Sequence, residues 1–254
     1  MKPLERDIVT GCCGFPVGRA QYYGEFSLVE VQQTFYQLPR VDTARAWRAH
    51  APPDFMFAMK AWQLITHTPV SPTYRRLREP LSGPTEAYGS FRPTSEVHAA
   101  WRRTLEVARA LESFAVVLQC PASLAPSEEA ISNLHAFFAS ADRDGLILVW
   151  EPRGRWPDGL VRDLCHSLNL VHGVDPFTGP TAAGGIAYFR LHGRGGYRYR
   201  YTDEDLRWLL ERCRSELNRG RSRVYVLFNN ISNISMLADA RRFRALVSRG
   251  LTRC

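Results

Sequence analysis

Eight short runs rich in Val, Ile, Leu and Phe recur along the 254 residues, and helix-like segments separate most of them. The runs cover residues 6–15, 28–36, 55–61, 114–120, 146–152, 170–175, 186–193 and 224–230, each bounded by turn or polar residues. The helix-like segments are 41–50, 93–113, 126–141, 158–168, 202–217 and 235–247. Within 93–113, Val97, Trp101, Leu105 and Ala108 fall at helical spacing. Ser127 reads as an N-cap, and Thr202 with Asp205 as a capping box. The first and sixth connections are weak helices. Eight strands alternating with helices over this length predict an α/β fold, a (β/α)8 TIM barrel in one domain spanning 1–254. An open doubly wound sheet is the competing architecture, but no G-x-G-x-x-G follows the first run. The stretch 62–94, after the third run, is too long for a simple connection. It reads as a lid or an elaborated active-site loop.

In such a barrel, chemistry gathers at the C-terminal ends of the strands, and polar residues of this chain fall there. Gln33, Thr34 and Tyr36 end the second run, Lys60 the third, Gln119 the fourth, and Glu151 and Arg153 the fifth. Asp175 ends the sixth, Arg190 and His192 the seventh, and Asn229 and Asn230 the eighth. Strand residues two apart share a face, so Glu151 points with Arg153 and Arg190 with His192, while Glu30 lies deeper. Each residue has an ordinary structural explanation: an ion pair for Glu151 and Arg153, a hydrogen-bonded histidine, turn chemistry for the asparagines. Their convergence on one rim argues for a ligand site, because charges buried without function are costly.

Lysine usage singles out one of these residues. Of 33 Lys and Arg, only Lys2 and Lys60 are lysine. Arginine stays charged and presents a wide fork, whereas lysine is a compact ammonium whose pKa drops on burial. A lysine kept at the end of an apolar strand fits a point donor to an oxyanion, a proton shuttle or an imine nucleophile. It is expected to be buried, in salt-bridge reach of Glu151 or Glu30. The formal charge of +8 points to anionic partners, an arginine-rich genome being the bland alternative. No apolar stretch of about 18 residues is present and the start lacks a signal-peptide h-region, so no membrane partner is expected. Cys12, Cys13, Cys120, Cys165, Cys213 and Cys254 form no C-x-x-C pair. They read as reduced thiols in a cytoplasmic protein.

The loop after the seventh run, 192–206, combines Gly193, Gly195 and Gly196 with Arg194, Arg198 and Arg200 alternating with Tyr197, Tyr199 and Tyr201. Its glycines and arginines suit a phosphate, and its tyrosines suit stacking on bases. A solvent-facing loop is the plainer reading. No H-x-x-x-H or H-E-x-x-H pair marks a zinc site, so no cofactor is preferred. A variant dependent on a divalent metal would recruit Glu30, Glu151, Asp175 and His67 or His192.

Several stretches, in order, resemble the YecE-like family, a TIM-barrel domain of unknown function numbered seventy-two. They are "GCCGF" (11–15), "VEVQQTFYQLP" (29–39), "FMFAMKAWQLITH" (55–67), "VVLQCPAS" (116–123), "WEPRGRW" (150–156), "YFRLHGR" (188–194) and "YVLFNN" (225–230). The resemblance implies an eight-stranded barrel. It puts Glu30, Thr34, Tyr36, Lys60, Thr66, His67, Gln119, Glu151, Arg153, Arg190, His192, Gly193, Asn229 and Asn230 on motif positions. It implies no activity. Cys12 and Cys13 stand where the family usually has small hydroxyl residues, and Phe15 where it commonly has tryptophan.

The leading expectation is a hydrolase-like enzyme for a phosphate-bearing or other anionic small molecule. Lys60 and His192 would carry protons, and Glu151 would act as base or orient Lys60. Arg190, Arg153 and the 193–200 loop, with Arg194 and Tyr199, would hold the anion. Hydrolysis or phosphodiester cleavage fits these groups, and acid–base isomerisation is an alternative. Glu30, Thr34, Tyr36, Thr66, His67, Gln119, Asp175, Gly193, Asn229 and Asn230 would complete the substrate site. The competing classes are a non-catalytic nucleic-acid or nucleotide binder using the basic loop 193–201, and a metabolite-sensing barrel.

Overall fold

The computed structural model describes residues 7–195, 198–230 and 233–251. Its strands are β1 (Ile8–Cys13), β2 (Leu28–Val31), β3 (Met56–Lys60), β4 (Ser113–Gln119), β5 (Ile147–Glu151), β6 (Val171–Val174), β7 (Ala187–Leu191) and β8 (Val224–Phe228). All pair in parallel and in sequence order. β8 closes onto β1 through pairs running from Ile8–Val224 to Cys12–Phe228. The helices among the described residues are α1 (Arg19–Tyr23), α2 (Gln33–Tyr36), α3 (Val41–Ala49), α4 (Gln63–Thr66), α5 (Ser95–Ala110), α6 (Glu128–Ser140), α7 (Asp158–Ser167), α8 (Asp203–Asn218) and α9 (Asn233–Leu251). The predicted (β/α)8 barrel is the fold. None of the helices, among the described residues, is long and apolar enough to cross a membrane.

Side chains alternate along each strand, and the alternation builds two cores. Cys12, Val29, Phe57, Met59, Val116, Leu118, Trp150, Phe189 and Phe228 point outward and pack with the helices. Cys13, Leu28, Ala58, Ala115, Val117, Val149, Tyr188, Tyr225 and Leu227 fill the barrel. Carrying this inward parity to the strand ends selects Glu30, Lys60, Gln119, Glu151 and Arg190. The period that packs the barrel therefore also delivers charge to its mouth.

The long helices begin where the sequence signals them. Thr94 Oγ1 accepts the Val97 N–H (3.3 Å) at the start of α5, and Ser127 Oγ accepts the Ala130 N–H (3.1 Å) before α6. Thr202 and Asp205 form a reciprocal capping box at α8. Along α5, Val97, Ala100, Trp101, Thr104, Leu105 and Ala108 form the buried face.

Two local expectations change, at the second run and the sixth connection, while the weak first connection holds. The second run stops being a strand at Val31, and residues 33–36 turn into α2. Thr34 draws the chain back: its hydroxyl donates to Val31 O (3.1 Å) and to Lys60 O (2.8 Å) across the ends of two strands. The first connection holds only the five-residue α1. It is pinned by Tyr22, whose hydroxyl accepts from Cys12 N and donates to Leu28 O, both at 2.8 Å. The sixth connection holds no helix. Asp175 starts a turn there, accepting the Phe177 N–H on its side chain (3.1 Å) and the Thr178 and Gly179 N–H groups on its carbonyl.

The long loop after β3 folds back under the mouth. Gly89, Ser90 and Phe91 bond to the backbone of Leu64, Thr66 and Ile65. Gly89 takes φ +81°, and a Cβ there would overlap the His67 carbonyl, so this approach requires glycine. Cys12, Cys13, Cys120, Cys165 and Cys213 are free and buried.

Candidate active site

A fully buried ion network forms the floor of the mouth. Arg190 donates from Nε to Glu30 Oε2 (3.0 Å) and from Nη2 to Glu30 Oε1 (2.7 Å). Its Nη1 donates to Gln119 Oε1 (2.9 Å) and to Glu151 Oε2. Tyr188 adds its hydroxyl to Glu30 Oε2 (2.9 Å), and Gln32 donates to Glu30 Oε1. Burial pushes both carboxyls up, but the Arg190 charge outweighs it: Glu30 is lowered, and Glu151, aided by His192 and Arg153, sits at about 2. These carboxylates are permanent anions near neutral pH. Arg190 is a structural counter-ion whose fork is already occupied, and it does not line the cavity above.

That cavity is about 720 Å³ and opens at the C-terminal ends of the strands. Tyr36, Lys60, His67, Gln119, Arg153, His192, Asn229 and Asn230 are brought together on its wall. A smaller cleft of about 310 Å³, lined by Glu151, Asp175 and Gly193, shares Arg153 and His192 with it. Glu30, Thr34, Thr66 and Arg190 lie beneath or beside the cavity.

Lys60 is buried, as the sequence implies, but its partner differs. Arg190 occupies both candidate carboxylates, and among the described residues none comes into salt-bridge distance of Lys60. The ammonium instead sits 3.9 Å from the centroid of the Phe35 ring. Burial, then the nearby Arg190 charge, lowers its pKa to about 8, against the opposing pull of Glu30 and Glu151. Beside it, burial and the Lys60 charge drop His67 to about 4, so His67 is neutral near pH 7. Its Nδ1 bonds to the Thr66 hydroxyl at 2.8 Å.

His192 is held from two sides. Asp175 Oδ2 accepts its backbone N–H (2.8 Å) and lies 3.6 Å from Nδ1. Arg153 Nη1 lies 2.8 Å from Nε2 and also bonds Glu151 Oε1 at 3.0 Å. A guanidinium only donates, so Nε2 is the accepting nitrogen and the ring proton belongs on Nδ1, facing Asp175. Arg153 thus sets the tautomer, while Asp175 anchors the residue by its backbone N–H and places a negative charge beside Nδ1. Glu151 is too strongly ionised to be a useful base, and it orients Arg153 rather than Lys60.

Arg194 and Tyr199 of the 193–201 loop are turned toward the loop's own helix. Arg194 Nη1 donates to Asp205 Oδ1 (2.7 Å) and Tyr199 OH to Asp205 Oδ2 (2.6 Å). The α8 N-terminus beside this loop is therefore filled by the Asp205 carboxylate. Arg198 and Arg200 are exposed, while Gly196 and Tyr197 lie outside the described residues. Asn230 donates to Tyr199 O (3.1 Å) and Asp239 Oδ2 (3.2 Å), fastening this loop to α9.

Sequence reasoning missed Arg19, Trp47 and Arg76, which complete the cavity wall. They sit on connections, where strand parity says nothing. For Arg76 the unusual length of 62–94 was a signal. Among the described residues, no group of three or more His, Cys, Asp and Glu side chains is placed to hold a metal ion. Of the residues of the metal-dependent variant, Glu30 and Glu151 are held by Arg190, Asp175 pairs with His192, and His67 bonds Thr66.

A family model described as "protein of unknown function DUF72" matches residues 18–253. No curated protein matches the chain. The structure is similar to that of a DUF72 family protein from Enterococcus faecalis V583. The TM-score is 0.74 at 19% identity, with 95% of this chain and 97% of that one covered. For a DUF72 family protein from Thermotoga maritima MSB8 the values are 0.69 and 19%, covering 95% and 99%. A xylose isomerase domain containing protein from Salmonella typhimurium LT2 gives 0.61 and 13%, with both chains covered completely. Identities this low establish a shared barrel and nothing of chemistry.

Proposed function

The chain belongs to the DUF72 family, and from that premise we propose an enzyme that hydrolyses a phosphate-bearing substrate by acid–base chemistry at the barrel mouth. One observation carries this reading. Arg19, Lys60, Arg76 and Arg153 line the cavity, and no carboxylate is among its described lining residues. The two carboxylates below are balanced by Arg190 and Arg153 together, which leaves Arg19, Lys60 and Arg76 in excess. An anion entering the mouth meets uncompensated positive charge in a partly desolvated space.

In this mechanism Arg153 and Lys60 bind the phosphate oxygens. Arg153 leaves His192 Nε2 as it turns to the anion, and the freed nitrogen takes a proton from the attacking water. Asp175 stabilises the imidazolium that forms. Lys60, with a pKa of about 8, is mostly protonated at pH 7 and close enough to neutrality to give its proton to the leaving oxygen.

The test is hydrolysis of a panel of phosphate monoesters and diesters by the wild type, Lys60→Met and His192→Gln. Each variant is expected to lose about 10²-fold or more in turnover with an unchanged circular dichroism spectrum. Undiminished turnover in Lys60→Met, or no binding of inorganic phosphate at low salt, overturns the proposal. A steep salt slope with oligonucleotides and no pocket dependence would instead support the basic-loop binder.

A further inference from the structure

Cations make up only part of the cavity wall; the rest is aromatic. Phe15, Phe35, Tyr36 and Trp47 line it on the side of α1, α2 and α3. Polar Gln119, Arg153, His192 and Asn229 line it on the side of β4, β5, β7 and β8. The mouth is therefore two-faced, with Arg153, His192 and amides on one side and, on the other, flat surfaces covered by Arg19, Lys60 and Arg76.

The flat surfaces are arranged as stacks. The Arg19 guanidinium lies 4.7 Å from the Trp47 ring centroid and 5.4 Å from that of Phe15. Arg76 lies 3.5 Å from the centroid of Tyr36. Trp47, Phe15 and Tyr36 are each only half-buried, so their rings remain within reach of a ligand. Aromatic faces and guanidinium planes are the surfaces on which unstacked bases and other flat π-systems settle. A small sugar phosphate would use the polar face and leave these stacks idle. The volume of about 720 Å³ lies well inside the range of sites that enclose a drug-sized ligand.

Resting on the phosphate reading above, we propose that the substrate is a small phosphate ester of a flat aromatic or heteroaromatic group, of the nucleoside monophosphate class. The phosphate faces Lys60, Arg153 and His192. The ring lies against Trp47, Phe15 and Tyr36, in contact with or in place of the Arg19 guanidinium.

The full chain would be titrated calorimetrically at fixed salt with a nucleoside monophosphate, ribose 5-phosphate, the free nucleoside and a short oligonucleotide. The nucleotide is expected to bind about tenfold to a hundredfold more tightly than ribose 5-phosphate, the yield of one base stack. It should also quench the Trp47 contribution to fluorescence, with Trp47→Phe as the reference. Trp47→Ala should shrink the advantage of the nucleotide over the sugar phosphate, and Trp47→Phe should retain it. If Trp47→Ala fails to fold, Tyr36→Ala and the wild-type ligand series carry the test.

Equal affinity for nucleotide and sugar phosphate overturns this inference and leaves the phosphate site standing. Binding of the oligonucleotide alone also overturns it. Binding of no phosphate at all overturns the proposed function itself, and so does a free nucleoside that binds as tightly as the nucleotide.

Discussion

Replacing Lys60 with Met should make the protein more stable at neutral pH while removing the proposed hydrolysis. Arg190 and Arg153 already balance Glu30 and Glu151, so the ammonium of Lys60 is a surplus charge in a buried place. Its pKa is about 8 against an ordinary 10.5. At about 1.4 kcal/mol per pH unit, the folded state pays about 3 kcal/mol to keep the proton at pH 7. The contact with Phe35 returns about 0.5–2 kcal/mol of this, and methionine fills the space of the lysine stem with an apolar chain. The net gain is about 1–3 kcal/mol, or several degrees in Tm for a chain of this size. The pH dependence gives the argument its sign. Between about 8 and 10.5 the unfolded chain holds a proton that the folded chain has shed, so wild-type stability rises with pH across that window. Below it the penalty is complete. Thermal denaturation of both proteins at pH 7 and pH 10 would show the Met variant ahead at pH 7 and the gap narrowing at pH 10. A variant less stable than wild type at pH 7, or a gap that does not change with pH, would refute a lysine held against its own charge.

Glu30→Gln leaves Arg190 buried with half its compensation, and urea denaturation should register a loss of about 3–5 kcal/mol. Asp175→Asn should remove the negative charge that would stabilise a His192 imidazolium. It is expected to lower kcat on any substrate found for the wild type by tenfold or more, leaving KM and the circular dichroism spectrum close to wild type. Asp205→Ala unties Arg194 and Tyr199 and removes half of a capping box. Hydrogen exchange should quicken around Tyr199–Leu206 while the barrel strands stay protected, with a stability loss of about 1–2 kcal/mol.

The barrel was legible because two periods alternate in the sequence. Strands with inward and outward positions at spacing two, such as Ala58 and Lys60 against Phe57 and Met59, are interrupted by helices with a buried stripe, such as Val97, Trp101, Leu105 and Ala108. The errors fell where tertiary context overrides local propensity. "QQTFY" is as β-prone as many strands, but it turns into α2, where Thr34 bonds Lys60 O, 26 residues away. Strand ends also named most of the residues at the cavity. They could not separate a wall residue from a floor residue: Lys60 and Arg190 share inward parity, yet one meets the cavity and the other is sealed beneath it. That difference is set by how far each strand end rises and by which carboxylates the neighbouring strands offer. Arg19, Trp47 and Arg76 come from connections, whose approach to the mouth depends on tertiary packing.

The Arg190 network also explains why position 60 is a lysine in a chain with 31 arginines. Arginine is suited to the floor, where its fork meets Glu30, Gln119 and Glu151 at once and its charge never needs to change. A second guanidinium at position 60 would find both carboxylates taken. Its donors would be left unmatched in a buried space, and it would stay ionised at any pH the protein meets. Lysine carries the surplus charge on fewer donors, and its pKa falls to about 8, within reach of neutral pH. The displaced equilibrium then becomes the property a proton-transferring group requires. On this argument Lys60→Arg should destabilise the protein where Lys60→Met stabilises it. Opposite signs from two substitutions at one atom position distinguish a surplus buried charge from a packing defect.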